Sequence, residues 1–110
     1  MHEIADFLGA HPPFDAMDAA DLERLEAATE IEFHPRGAIV FSRGAGPVEH
    51  VWVVRTGAVE IVHEGRVLDL VGPGELFGHG SMLSGLPAGF TARAAEDALL
   101  YRVRAGVAAP

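Results

Sequence analysis

From Thr29 onward the chain is cut into short apolar runs by glycine turns, which leaves no room for a long helix. The run "EIEFH" (residues 30–34) alternates with period two, and "HPRGAIVFSRGAGP" supplies a turn, a short strand and another turn. "VWVV" (51–54) reads as a buried strand, and "RTG" turns it. "AVEIVH" and "RVLDLV" are strands separated by Glu64-Gly65, a two-residue hairpin signal. "GPGELFG" turns again, and "FTARAAEDALLYRV" reads as two strands broken around Glu96-Asp97. Some seven or eight short strands without a helical crossover imply an antiparallel sandwich, roll or barrel. With inward side chains alternating along each strand, the expected interior is Ile31, Phe33, Val40, Val51, Val53, Val59, Ile61, Leu70 and Leu100.

The first thirty residues differ. Ile4, Phe7 and Leu8 form an i, i+3, i+4 stripe, and Pro12-Pro13 stops that helix. A second helix is expected from Asp18, an N-cap, with Asp21 and Glu23 near the positive end of the dipole and Leu22, Leu25 and Ala28 on its apolar face. Residues 1–32 contain nine acids and one Arg, whereas residues 33–110 contain seven of each. The net charge of −8 therefore sits on the N-terminal segment, and its plainest reading is a solvated helix face. No basic patch offers a footprint for nucleic acid. No apolar run approaches the ~18 residues of a membrane span, and the acidic start does not resemble a signal peptide, so neither membrane nor export is expected and a cytoplasmic location is the default expectation. With no cysteine there is neither a disulfide framework nor a thiolate metal site.

Acidic helices followed by glycine-punctuated strands resemble the cyclic-nucleotide-binding domain family, whose β-roll is of the catabolite-activator type. The resemblance covers roughly residues 14–104. It rests on "GxIVFxxG" (Gly37 to Gly44), "VWVVRTGAVEI" (Val51 to Ile61) and "LxGPGELFG" (Leu70 to Gly78), taken in this order and spacing. It implies a mainly β fold: an antiparallel β-roll of double-stranded β-helix or jelly-roll type with N-terminal helices. The implied division is a helical segment over 1–28, the roll over 29–104, and the start of a hinge over 105–110.

The family places its phosphate-binding cassette between two roll strands, here "GELFGHGSMLSGLPAGFTARA" (Gly74 to Ala94). Such a cassette aims helix N-terminal N–H groups at the phosphate, neutralises it with an Arg, and uses a carboxylate to accept from the ribose hydroxyl. This chain keeps Phe77 and Gly78, and Gly80, Ser81, Met82 and Leu83 can form the short helix. It then departs from the pattern. The ribose carboxylate position is His79, the phosphate Arg position Ala88, the hydroxyl position Gly89, and the following small residue Phe90. No Arg or Lys lies between Gly74 and Phe90, and Arg93 is the nearest cation. These departures predict loss of ordinary cyclic-nucleotide binding.

Single features admit other readings. His34, His50, His63 and His79 stand on separate segments, unlike the paired histidines of a cupin metal site, so no metal or cofactor is expected. His79 can still donate to an anionic or polar ligand. "GHGSMLSG" lacks the closing glycine of a nucleophile elbow, no catalytic spacing stands out, and the chain is read as a non-enzyme. Trp52 is read as core, with ligand stacking second. DNA-binding relatives continue into a dimerisation helix and a helix-turn-helix, neither of which occurs before Pro110, so a module of a longer protein is expected. The "IADFL" start, the "GPVEHVWVV" strand and the cassette are also similar to the first domain of bacterial proteins that continue with CBS and predicted nucleotidyltransferase domains. The implied function is regulatory sensing of a cyclic nucleotide or another small anionic ligand, controlling downstream domains, with a homodimer left open. The alternative is a non-binding roll that serves structure or protein interaction.

Overall fold

A computed structural model describes residues 3–44, 50–78 and 89–104. Helix α1 spans Glu3–Gly9, a 3-10 turn spans Phe14–Ala16, and α2 spans Ala19–Ala27. The strands are β1 (Thr29–His34), β2 (Ile39–Phe41), β3 (His50–Thr56), β4 (Val59–His63), β5 (Arg66–Val71), β6 (Leu76–Phe77), β7 (Thr91–Ala94) and β8 (Ala98–Arg104). The Asp18 side chain caps α2 by accepting from the Asp21 N–H at 2.8 Å. Glu26, near the end of α2, accepts from the Ala5 N–H at 2.7 Å and ties the two helices together. The β4–β5 hairpin turns at Glu64 (φ 51) and Gly65 (φ 76), the left-handed pair that a two-residue primed turn requires.

Two four-stranded sheets face one another. Sheet A has the order β1-β8-β3-β6 and sheet B the order β2-β7-β4-β5, with every paired strand antiparallel. The mainly β roll with N-terminal helices is therefore the observed fold. Its apolar interior forms two layers. Between the sheets lie Trp52, Val54, Val59, Ile61, Val71, Phe77, Ala92, Ala94, Ala98 and Leu100. Between sheet A and the helices lie Leu8, Phe14, Leu25, Val53, Tyr101 and Val103. All four residues of "VWVV" are buried because β3 is internal to its sheet and both of its faces are covered.

Three expected interior residues lie outside. Ile31 is 58%, Phe33 62% and Leu70 58% exposed. Because sheet A is covered on both sides, an apolar residue in β1 does not reveal which face it occupies. Ile31 and Phe33 lie opposite Tyr101 and Leu99 on the helix-side face, beyond the area the helices cover. Glu30, Glu32 and His34 take the other face. Leu70 sits opposite Glu60, which is itself opposite Arg93, in a row on the outside of sheet B. The adjacent Val71 turns inward instead, a one-residue parity difference that reverses the face. Val40 is half-buried against the inter-sheet core, while Val51, Val53, Val59, Ile61 and Leu100 are buried.

Candidate functional site

The two limbs of the cassette are held by different sheets. On the entering limb, β6 pairs with β3 so that Phe77 lies opposite Trp52 and Leu76 opposite Val53. The Phe77 and Trp52 rings stack at 5.6 Å with an interplanar angle of 10°. Gly78 follows at φ +89, where a Cβ would stand 2.9 and 3.0 Å from Trp52 ring carbons and 3.1 Å from the His50 carbonyl oxygen. Only glycine allows this close an approach with that backbone.

The returning limb begins with exposed Gly89, whose carbonyl oxygen accepts from His63 Nδ1 at 3.1 Å. Phe90 is half-buried and packs its ring 5.7 Å from Phe41. Phe41 in turn lies 5.4 Å from Trp52 and 6.2 Å from Phe77, so four aromatic rings converge between the limbs. The fold thus brings Phe77 and Phe90 together around Phe41. Arg93 is not among them: β7 alternates, burying Ala92 and Ala94, while Arg93 lies in the outer row with its Nε donating to Glu60 at 3.2 Å. His79, Gly80, Ser81, Met82 and Ala88 lie outside the described residues.

Polar groups that the sequence reading did not assemble flank this cluster. The Arg43 N–H donates to Thr91 Oγ1 at 3.1 Å, and the Arg43 guanidinium lies 3.7 Å from Glu64. On sheet A, Glu32 accepts from Trp52 Nε1 at 3.0 Å and from His34 Nε2 at 3.0 Å, while Arg102 approaches its other oxygen at 2.7 Å. Arg102 also donates to Glu30. Burial alone would raise the Glu32 pKa, but hydrogen bonds from His34 and Trp52 and the Arg102 charge outweigh it and hold the carboxyl below its ordinary value. His50 is held below the ordinary histidine value, first by burial and then by Arg102 and Arg104. The available signal was the alternation of Glu30, Glu32 and His34 along β1, with Glu30 directly opposite Arg102 of β8.

Among the described residues no group of three or more His, Cys, Asp or Glu side chains is arranged to hold a metal ion. No described helix is long and apolar enough to cross a membrane. A surface hollow of about 460 Å³ lies on the outer face of sheet A, lined in part by Ile4, Ile31, Arg55, Leu99 and Tyr101, and shares no residue with the four-ring cluster.

Comparison with known proteins gives this architecture its context. The family model described as "Cyclic nucleotide-binding domain" matches residues 31–108. An uncharacterized protein of Mycobacterium tuberculosis is 26% identical over 100 residues, which cover 91% of this chain and 19% of that protein. The chain therefore spans about a fifth of the length of the curated relatives it matches. Among solved structures, the regulatory domain of Toxoplasma gondii PKA with cAMP superposes with a TM-score of 0.85 at 21% identity, covering 96% of this chain and 41% of that one. The N-terminal domain of a transcriptional regulator from Streptomyces coelicolor is 29% identical with a TM-score of 0.80, covering 94% and 76% respectively. The regulatory subunit of a cAMP-independent protein kinase A from Trypanosoma cruzi, bound to guanosine, gives a TM-score of 0.83 at 17% identity, covering 94% and 38%. With the family model spanning well over half of the sequence and the two-sheet roll in place, the chain belongs to the cyclic nucleotide-binding domain family.

Proposed function

We propose that this chain is a regulatory ligand-sensing domain whose phosphate cassette has diverged from the one that holds an ordinary cyclic nucleotide. The observation that carries this reading is the absence of Arg and Lys between Gly74 and Phe90, combined with the outward pairing of Arg93 with Glu60. A cyclic phosphate entering between the limbs would meet the ring of Phe90, which stands at the small-residue position of the family pattern. An Arg that makes two charge-assisted hydrogen bonds contributes about 3–6 kcal/mol at roughly 1.5–3 kcal/mol each, so its loss weakens binding by at least ~100-fold. The bound guanosine of the Trypanosoma cruzi neighbour makes a nucleoside without phosphate a sensible probe beside cyclic nucleotides and other small anions.

The sensing domain would act on domains that follow it in a longer cytoplasmic signalling protein, with CBS and nucleotidyltransferase domains as the proposed context. The short share of the mycobacterial relative that it covers supports a modular role. The helical segment 1–28, the roll 29–104 and the hinge from 105 are the proposed divisions. Regulation rather than catalysis and no direct contact with nucleic acid or membrane complete the proposal. The second reading is a non-binding interaction module, favoured by the four aromatic rings that already converge between the cassette limbs.

Calorimetry with cyclic AMP, cyclic GMP and guanosine tests the assignment, using wild type and the triple substitution Ala88→Arg, His79→Glu, Phe90→Ala. The expected result is weak or absent cyclic-nucleotide binding by wild type and a gain in the variant. Micromolar cyclic AMP binding by wild type would refute the loss and assign the phosphate to another group, such as His79 or Arg93. Mass spectrometry of small molecules released from denatured protein separates the two readings. A stoichiometric metabolite supports the sensor, and repeated absence supports the interaction module.

A further inference from the structure

We propose that Glu32 is a positioning residue for the cassette, acting across sheet A through the indole of Trp52. The proposal rests on the ligand-sensing reading for its functional meaning, while its structural content stands on described residues alone. Trp52 is 6% exposed, and its indole works as a crossbar. One edge carries Nε1, which donates to Glu32 on β1 at 3.0 Å. Atoms Cε3 and Cζ3, on the six-membered ring, form the floor beneath Gly78, where the cassette leaves β6. One face of the indole is stacked by Phe77, the last residue of that strand. The indole therefore joins the β1 edge of the sheet to Gly78, where the entering limb leaves β6.

The acceptor at the far end has to be a carboxylate. Glu32 receives three donors at once: Trp52 Nε1 and His34 Nε2 on one oxygen and Arg102 on the other. A glutamine would present one acceptor oxygen and an NH2 group, leaving either the indole or the guanidinium facing a donor. Trp52 has one polar hydrogen, and leaving it buried and unpaired is costly. The indole would then be drawn toward another partner, and a small rotation of the ring moves the atoms under Gly78. Gly78 has no side chain with which to take up that movement.

Trp52 is the only tryptophan in the chain, which makes the relay directly observable. The test is Glu32→Gln in the full 110-residue chain, read by the indole N–H and Gly78 amide resonances in 15N spectra. Glu30→Gln is the control, because it removes the second Arg102 partner and leaves the indole acceptor in place. Glu32→Gln should shift both resonances, Glu30→Gln should leave Gly78 in place, and in a Trp52→Phe background Glu32→Gln should no longer move Gly78. A shifted indole with an unmoved Gly78 overturns the proposal, as does a Gly78 shift that persists without the indole.

Should Glu32→Gln fail to fold, acid titration of the wild type supplies the measurement. Protonation of Glu32, which is faced by Glu30, His34, Arg102 and, through Trp52 on the same strand, His50, should move the indole and Gly78 signals with one midpoint. Separate midpoints would refute the relay. Guanosine and cyclic AMP titrations form the functional arm, with an affinity loss of up to about tenfold expected in Glu32→Gln for any probe that wild type binds. Coupled resonances with no metabolite released from the denatured protein would retain the relay and count against the sensing role, so the two claims fail separately.

Discussion

Replacing Leu100 and Phe33 separately by alanine tests the assignment of faces in sheet A. Leu100 is 0% exposed and lies between the sheets against Trp52, Val54 and Val59. Truncating it removes a complete buried side chain and leaves a cavity in a layer where strand pairing on β1 and β3 limits collapse, so about 2.7–5 kcal/mol should be lost. Phe33 is 62% exposed. Full burial of such a side chain stabilises by about 1.5–3 kcal/mol, so the buried third of Phe33 contributes roughly 1 kcal/mol or less, and no closed cavity follows its removal. At about 4 °C or more per kcal/mol, Leu100→Ala should lower Tm by more than about 10 °C and Phe33→Ala by a few degrees. Urea unfolding followed by Trp52 fluorescence, with m-values compared, measures both. Equal losses for the two variants would refute the face assignment. A Phe33→Ala loss that grows with protein concentration would instead show the exposed strip covered by a second copy.

Three further expectations concern turns, caps and pH. Gly57→Ala places a Cβ 2.2 Å from the Asp97 carbonyl oxygen at φ +82, and the backbone of the β7–β8 turn has to yield, so a loss of about 3 kcal/mol in urea unfolding is expected. A loss below about 1 kcal/mol would contradict the close approach. Asp18→Ala should cost about 1 kcal/mol by removing the cap from α2, measured by the same unfolding curves, and an unchanged midpoint would deny the cap a role. Because burial, with Arg102 and Arg104, lowers the His50 pKa in the folded state, the unfolded chain takes up that proton first, and stability falls as pH drops below about 6.5. His50→Gln should flatten that fall. Glu32 acts in a lower range, since its depressed folded pKa contributes stability that is lost as pH falls below the usual carboxylate value.

Most strand positions, the Glu64-Gly65 hairpin and the Asp18 cap were legible because each depends on a local rule of alternation, turn chemistry or capping, whereas β6 (Leu76–Phe77) lies within a stretch that reads as a turn. The faces of β1 and β5 were not legible. "EIEFH" follows the same alternation whether its apolar or its acidic residues turn inward, and the answer depends on Arg102, seventy residues away, receiving Glu30 and Glu32 on the inner side. The departures of the cassette from the family pattern are a reading of the sequence, and His79, Gly80, Ser81, Met82 and Ala88, on which most of it rests, lie outside the described residues. The indole contact with Glu32 was not legible, because it joins strands that are not neighbours in the sheet. The 3-10 turn at Phe14–Ala16 was also missed, although its Phe14 is buried with α1 and α2.

The place of β8 between β1 and β3 has a consequence for synthesis on the ribosome. Among the described residues β1 pairs with β8 alone, and Thr29 meets Val103 only after nearly the entire roll has been made. At roughly 5–20 residues per second, about 4–14 s separate the emergence of His34 from that of Arg104. Throughout that interval both edges of β1 are unpaired, and β3 lacks its longest neighbour. Mistakes in folding should therefore concentrate in the nascent chain rather than in the finished one. A synonymous-codon pause placed just before Ala98 should lower soluble yield more than an equal pause placed after Arg104.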